Sequence, residues 1–341
     1  MSELERCLIL SSGRCGSTLL SELIATEPAT LSVQESLVNR ELDYWAADAK
    51  MAGSEYWSLL STPGLQWEAA VRIGAITGEF RYPATGRWGG NLAALPPIAA
   101  VTLPAISADP DSLFDLLDAR VPDFPAQTLA QHHVMFLDFL ASLKQRCRWV
   151  ERSGGSSSLA AALLGKISFD KVVYLTRELA ATASSMSRHS EFQFSIIRAE
   201  LLFGCGFDPY RDFARRRARD GAAPASDRRV PAGMQCLLPE QITVETLTER
   251  GGGVEKHKLA WAGMSYAAEA ALTKYPPRQL LRMRYEDLVA APEEQLTRLA
   301  QFLGFADPAG WAARSADQVR QPGRPAPAGQ PAVLASQGRS G

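Results

Sequence analysis

The chain has 341 residues, 46% hydrophobic and 21% charged, enough apolar material for one large core or two smaller ones. Its 36 basic and 37 acidic residues give a formal net charge of −1, which excludes the global positive field that recruits nucleic acid, so any anion has to be held by a local cluster. The five cysteines Cys7, Cys15, Cys147, Cys205 and Cys236 are odd in number and lack metal-ligand or close redox spacing, so they read as reduced thiols rather than a disulfide framework.

The N-terminal stretch from Met1 to Arg6 carries two acids and runs directly into a strand pattern, unlike a signal peptide, and no apolar run reaches membrane-spanning length. A soluble cytoplasmic protein is the expectation. Cys7 to Leu10 reads as a buried strand, stopped by Ser11-Ser12-Gly13, and Leu19, Leu20, Leu23 and Ile24 recur at helical spacing. Val33-Gln34-Glu35 reads as a second strand whose end returns beside the first loop. Residues 64–125 are rich in Gly, Pro and Ala and predict an irregular insertion or lid that shapes an acceptor pocket. Leu129 to Leu143 is amphipathic and carries His132 and His133.

A second strand and helix begin at Lys171, with Val172 to Leu175 as strand and Glu178 to Arg188 as helix. Residues 204–253 contain the basic run Arg215-Arg216-Arg217 and read as a solvated mobile loop. Leu280 to Tyr285 predicts a late strand, and Glu293 to Leu303 a helix with Leu296, Leu299, Ala300 and Leu303 inward. From Gln321 the proline-rich sequence predicts a flexible tail over residues 321–341. Two strand–helix units imply an α/β fold, a parallel sheet covered by helices, in a single domain over residues 1–320.

Ser11-Ser12-Gly13-Arg14-Cys15-Gly16-Ser17-Thr18 stands between strand and helix, where backbone amides and the helix dipole converge on an anion. Gly13 and Gly16 permit close backbone approach, Arg14 adds a permanent charge, and Ser17 and Thr18 add hydroxyls; the bland reading is a strand–helix turn with a Ser/Thr cap. The loop is like a Walker A but has Gly16-Ser17-Thr18 where that motif has a lysine before the hydroxyl residue. The later strand ends in Thr176-Arg177, with no aspartate to assist magnesium.

With Arg14-Cys15-Gly16-Ser17-Thr18 in the loop, Arg177 at the second strand end and Ser185 eight residues later, the chain resembles the sulfotransferases that use PAPS (3′-phosphoadenosine-5′-phosphosulfate), on a three-layer, P-loop-like sheet. The resemblance implies that Gly13, Arg14, Cys15, Gly16, Ser17 and Thr18 hold the 5′-phosphosulfate, and that Arg177 and Ser185 grip the 3′-phosphate. Two further segments match in order: Trp149-Val150-Glu151-Arg152-Ser153, in which a basic residue enters the donor site, and Arg284 to Leu288 followed by Pro292 to Gly304, which speaks for fold rather than chemistry.

The reaction implied is in-line transfer of a sulfuryl group to the hydroxyl of a small-molecule acceptor, with no obligatory metal. Arg14 stabilises the leaving group. Glu35 is the leading base, as in family members with a glutamate after the first strand–helix unit, with a surface or capping carboxylate as its bland reading. His133 and His132 are the runners-up, since an imidazole titrates near neutrality. Arg152 stands either opposite the sulfate or in an exposed pair with Glu151. Arg320, Gly323 and Arg324 are the residues available for a late loop closing over the donor. The competing functions are a P-loop nucleotide-dependent kinase and a non-catalytic nucleotide binder of the same fold.

Overall fold

A computed structural model describes residues 4–37, 45 and 47–320; the expected tail over 321–341 lies outside them. The described residues form seven strands: β1 (Glu5–Ser11), β2 (Thr30–Gln34), β3 (Lys50–Met51), β4 (Gln127–Thr128), β5 (Arg148–Arg152), β6 (Lys171–Thr176) and β7 (Leu280–Arg284). Five form one sheet in the order β2-β5-β1-β6-β7, and every neighbouring pair in it is parallel. β3 and β4 make a separate antiparallel pair. The expected α/β fold is therefore present, with helices on both faces.

β1 lies at the centre because its side chains are apolar in both directions. Leu8 and Leu10 face one core with Val33, Trp149, Val172 and Tyr174, whereas Cys7 and Ile9 face the other with Val150, Val173, Leu175, Leu281 and Met283. A strand buried on both faces reads as a continuous apolar run, which is how Cys7 to Leu10 appears in the sequence. The second core is closed by the helices Pro292–Leu303 and Pro308–Arg320, and Leu296, Leu299, Ala300 and Leu303 are all buried there as their spacing predicts.

Chain order sets the position of the site. From β1 the chain crosses to β2 on one side of the sheet, whereas β6 and β7 lie on the other. The loop after β1 thus sits at the carboxyl edge of a parallel sheet where strand direction of travel reverses, the usual place for a ligand crevice.

Two expectations are corrected. Residues 64–125 are irregular only in part: Leu65–Arg72, Pro97–Ala100, Thr102–Ile106 and Pro110–Asp118 are helices, and Leu95, Ile98, Leu103, Leu113 and Leu117 enter the first core. Short helices started by Pro97 and Pro110 hide among residues that punctuate loops. Residues 204–253 are not a solvated loop either. Pro209–Asp220 and Val244–Gly251 are helices, and Tyr210, Phe213, Leu237, Leu238, Ile242 and Leu247 form a third apolar cluster with Phe194, Ile197 and Leu201. Within the basic run, Arg216 pairs with Asp212 and Asp227 and Arg217 with Glu68, so these charges are spent on tertiary contacts.

Candidate active site

The loop after β1 is built on three residues in the left-handed region: Gly13 (φ 78°), Arg14 (φ 56°) and Gly16 (φ 87°). Positive φ at a non-glycine residue is strained, and a run of such residues curls backbone amides towards a common point. The glycines are sterically required. A Cβ at Gly16 would meet the Tyr285 ring at 2.4 Å, and one at Gly13 would meet Phe192 at 2.5 Å. Gly16 is also the N-cap of the helix Ser17–Ile24 and offers it no side-chain cap, so the helix start presents its amides and its positive dipole end to the crevice.

Around this loop the structure gathers several of the residues singled out in the sequence. Arg14 Nε donates to Ser185 Oγ (3.2 Å), and Arg177 Nη1 donates to the Arg14 carbonyl (3.1 Å). Arg177 also lies over the Tyr285 ring at 4.7 Å, a favourable cation–π arrangement. Arg177 and Ser185 therefore both reach the first loop, one through its backbone and the other through its side chain. Cys15 differs from its neighbours: its side chain is fully buried in the second core, and burial raises its thiol pKa, which leaves only its backbone for a ligand. Ser17 is buried at the helix start, and Thr18 Oγ1 donates to Glu79 Oε1 (3.4 Å).

Glu35 follows β2 with φ 53° and turns its carboxylate back across the end of β5. It pairs with Arg152 Nη1 and accepts from the Gly154 amide (2.9 Å). The loop carrying Gly154 and Gly155 packs against Gly13, since a Cβ at Gly13 would stand 3.2 Å from the Gly155 nitrogen. Glu35 thus does return beside the first loop. Arg152 is 1% exposed, which corrects the expectation of an exposed Glu151–Arg152 pair. Adjacent strand residues point to opposite faces, so Arg152 meets Glu35 and Gln34 while Glu151 accepts from Ser36 and Ser153. The Nε of Arg152 has no hydrogen-bond partner among the described residues.

The histidines lie apart from this cluster. His133 is buried in the first core, edge-on to Trp45 at 5.4 Å, and burial pushes its pKa down to about 3, leaving a poor proton acceptor. His132 stacks on Tyr56 and bonds the Met51 carbonyl (2.9 Å). His189 does border the site, in a cavity of about 700 Å³ shared with Arg14, Thr77, Gly78, Ser187, Arg188 and Thr248.

Sequence reasoning missed Glu79, whose Oε1 accepts from Arg14 Nη1 (2.6 Å). Burial alone would raise its pKa, but Arg152, Arg14, His189 and Thr18 together hold it lowered. It lies 65 residues from Arg14 in the segment read as irregular, where no periodicity pointed to it. Tyr285, the wall against Gly16, carried a signal only in the late segment read as structural.

A comparison with protein families matches residues 241–308 to the sulfotransferase family. The likeness to that family is carried by this segment and not by the chain as a whole. The matched segment contains β7 and Tyr285 but not the loop over Ser11 to Thr18. A comparison with curated proteins found no match. Solved structures similar to the chain include the sulfotransferase domain from the curacin biosynthetic pathway, at 16% identity over 95% of this chain and 79% of that one, TM-score 0.42. They also include the sulfotransferase domain of the Synechococcus PCC 7002 olefin synthase, at 16% identity over 97% and 92%, TM-score 0.41, and a sulfotransferase from Alicyclobacillus acidocaldarius, at 12% identity over 89% and 81%, TM-score 0.34. No described helix is long and apolar enough to cross a membrane.

Proposed function

We propose that this chain is a sulfotransferase that takes the sulfuryl group of PAPS and transfers it in line to the hydroxyl of a small-molecule acceptor. The observation that carries this reading is the convergence of Arg14, Arg177 and Ser185 on one strand–loop–helix turn at the sheet's carboxyl edge. Two guanidinium groups and a hydroxyl there suit a donor with two anionic ends. When bound, PAPS supplies the sulfuryl group and a bisphosphate leaving group.

The chain's own groups divide the remaining work. Arg14, Ser17, Thr18 and the amides of Gly13, Cys15 and Gly16 stabilise charge developing on the leaving phosphate. Arg177 and Ser185 hold the 3′-phosphate and discriminate against donors that lack it. Arg152, buried with its Nε unpartnered among the described residues, supplies a further cation at the inner end of the loop. Glu35, oriented by Arg152 and Gly154, is the proposed base for the acceptor proton in preference to the deeply buried His133.

A screen of hydroxyl acceptors with labelled PAPS tests the proposal. Label is expected to move to at least one acceptor with wild type, and Glu35→Gln to slow transfer by about 100-fold or more while sparing donor affinity. Transfer at the wild-type rate in Glu35→Gln would remove Glu35 as base.

A further inference from the structure

Glu79 lies between the helix Leu65–Arg72 and a short turn at Leu92–Ala94, in a stretch tied down on both sides of it. The Phe80 amide donates to the Thr77 carbonyl (3.2 Å) and the Arg81 amide to the Ala100 carbonyl (2.9 Å). Phe80 stacks on Trp67 at 5.9 Å, and Arg81 pairs with Glu22 of the helix that follows the anion loop. The backbone therefore holds Glu79 against the loop, and its carboxylate is the part that enters. There Oε1 takes both Arg14 Nη1 and Thr18 Oγ1, two donors that the proposed function assigns to the phosphosulfate.

A carboxylate and a phosphosulfate cannot share one guanidinium without strong like-charge repulsion in a half-buried crevice. Arg14 and Glu79 side chains are 29% and 27% exposed, so the pair is only partly screened by solvent. Room for exchange lies next to it, since Thr77, Gly78 and Arg14 line the adjoining cavity.

We propose that Glu79 is an internal anion that competes with the phosphosulfate end of the donor for Arg14 and Thr18, is displaced by it, and so sets donor affinity. The inference deepens the donor reading and rests on it for the identity of the displacing ligand. Displacement exchanges one anionic partner of Arg14 for another, and the carboxylate gives up Thr18 as it leaves. Removing the carboxylate removes the competitor.

Calorimetric titration of adenosine 3′,5′-bisphosphate and of inorganic pyrophosphate, without metal, into wild type, Glu79→Gln and Glu79→Ala tests it. Either variant is expected to bind both anions about tenfold more tightly than wild type, the effect of losing one partly screened charge pair. Thermal unfolding of each variant checks that it is folded, and the alanine variant excludes an amide that merely replaces the carboxylate on Arg14. Unchanged or weaker pyrophosphate binding in both variants overturns the inference, as does a chain that takes up neither anion in any form. Tighter pyrophosphate binding with no uptake of the nucleotide leaves Glu79 as the competing anion and rejects the donor reading instead.

Discussion

Glu151 and Arg152 show how much a strand's two faces can differ. Both are buried at the end of β5, yet Arg152 faces Glu35, whereas Glu151 has only hydroxyls on Oε1 and no partner for Oε2 among the described residues. Burial first, then the charge of Glu35, raises the Glu151 pKa to about 7 despite Ser153, Ser36 and Arg152. A carboxyl raised in the fold binds its proton more tightly there than in the unfolded chain, so its contribution is fully present below the ordinary carboxylate pKa and is lost as pH rises through about 7. Denaturant unfolding from pH 4 to pH 8 is expected to show that loss, on the order of 3 kcal/mol. Glu151→Gln flattens the slope; an unaltered slope means that Glu151 is ionised throughout. Arg152 itself was legible in the sequence as a basic residue of the right segment, but its burial was not, because a Glu-Arg dipeptide on an isolated strand looks solvated until β2 and β1 close over it on both sides.

At the scale of elements, what was legible followed periodicity and punctuation. β1 and β6 carry apolar runs bounded by polar loops, β7 alternates buried Leu281 and Met283 with exposed Arg282 and Arg284, and Pro292–Leu303 repeats its apolar residues at helical spacing, so their existence and faces could be read directly. The sheet order could not, since parallel neighbours are joined by distant chain segments: β5 lies between β2 and β1 although more than a hundred residues separate it from either. The same distance hid Glu79 from Arg14. The helices in residues 64–125 and 204–253 were missed because their stability comes from tertiary burial of a few side chains rather than from propensity. The loop's glycines were legible as such, and the structure gives each a contact. Gly16→Ala sets a Cβ against the Tyr285 ring at a φ of 87°. A loss of about 1–3 kcal/mol in stability is expected from strain at such a position, together with weaker donor binding; unchanged melting and binding would show that the loop relaxes freely. Gly154→Ala places a methyl 3.3 Å from Glu35 Oε1, and transfer is expected to fall more than donor affinity does, measured as kcat against donor KM.

Across the molecule, the thiols fall into buried, half-buried and exposed environments. Cys7 and Cys15 lie in the second core, Cys205 is half-buried, and Cys147 and Cys236 are exposed, all five free. Titration with a thiol reagent is expected to label Cys147 and Cys236 rapidly and Cys7 and Cys15 only after denaturation; rapid labelling of Cys15 in the native protein would mean that the loop after β1 opens to solvent. The loop after β1 and the end of β6 are proposed to act together on one nucleotide, gripping it by two anionic groups. The most direct measurement is a metal-free titration of adenosine 3′,5′-bisphosphate and adenosine 5′-monophosphate into wild type and Arg177→Ala. Wild type is predicted to favour the bisphosphate by about tenfold or more, as expected for a charge-assisted phosphate contact, and the preference is predicted to collapse in Arg177→Ala. Equal binding of the two nucleotides by wild type, or a preference untouched by loss of Arg177, would contradict the account.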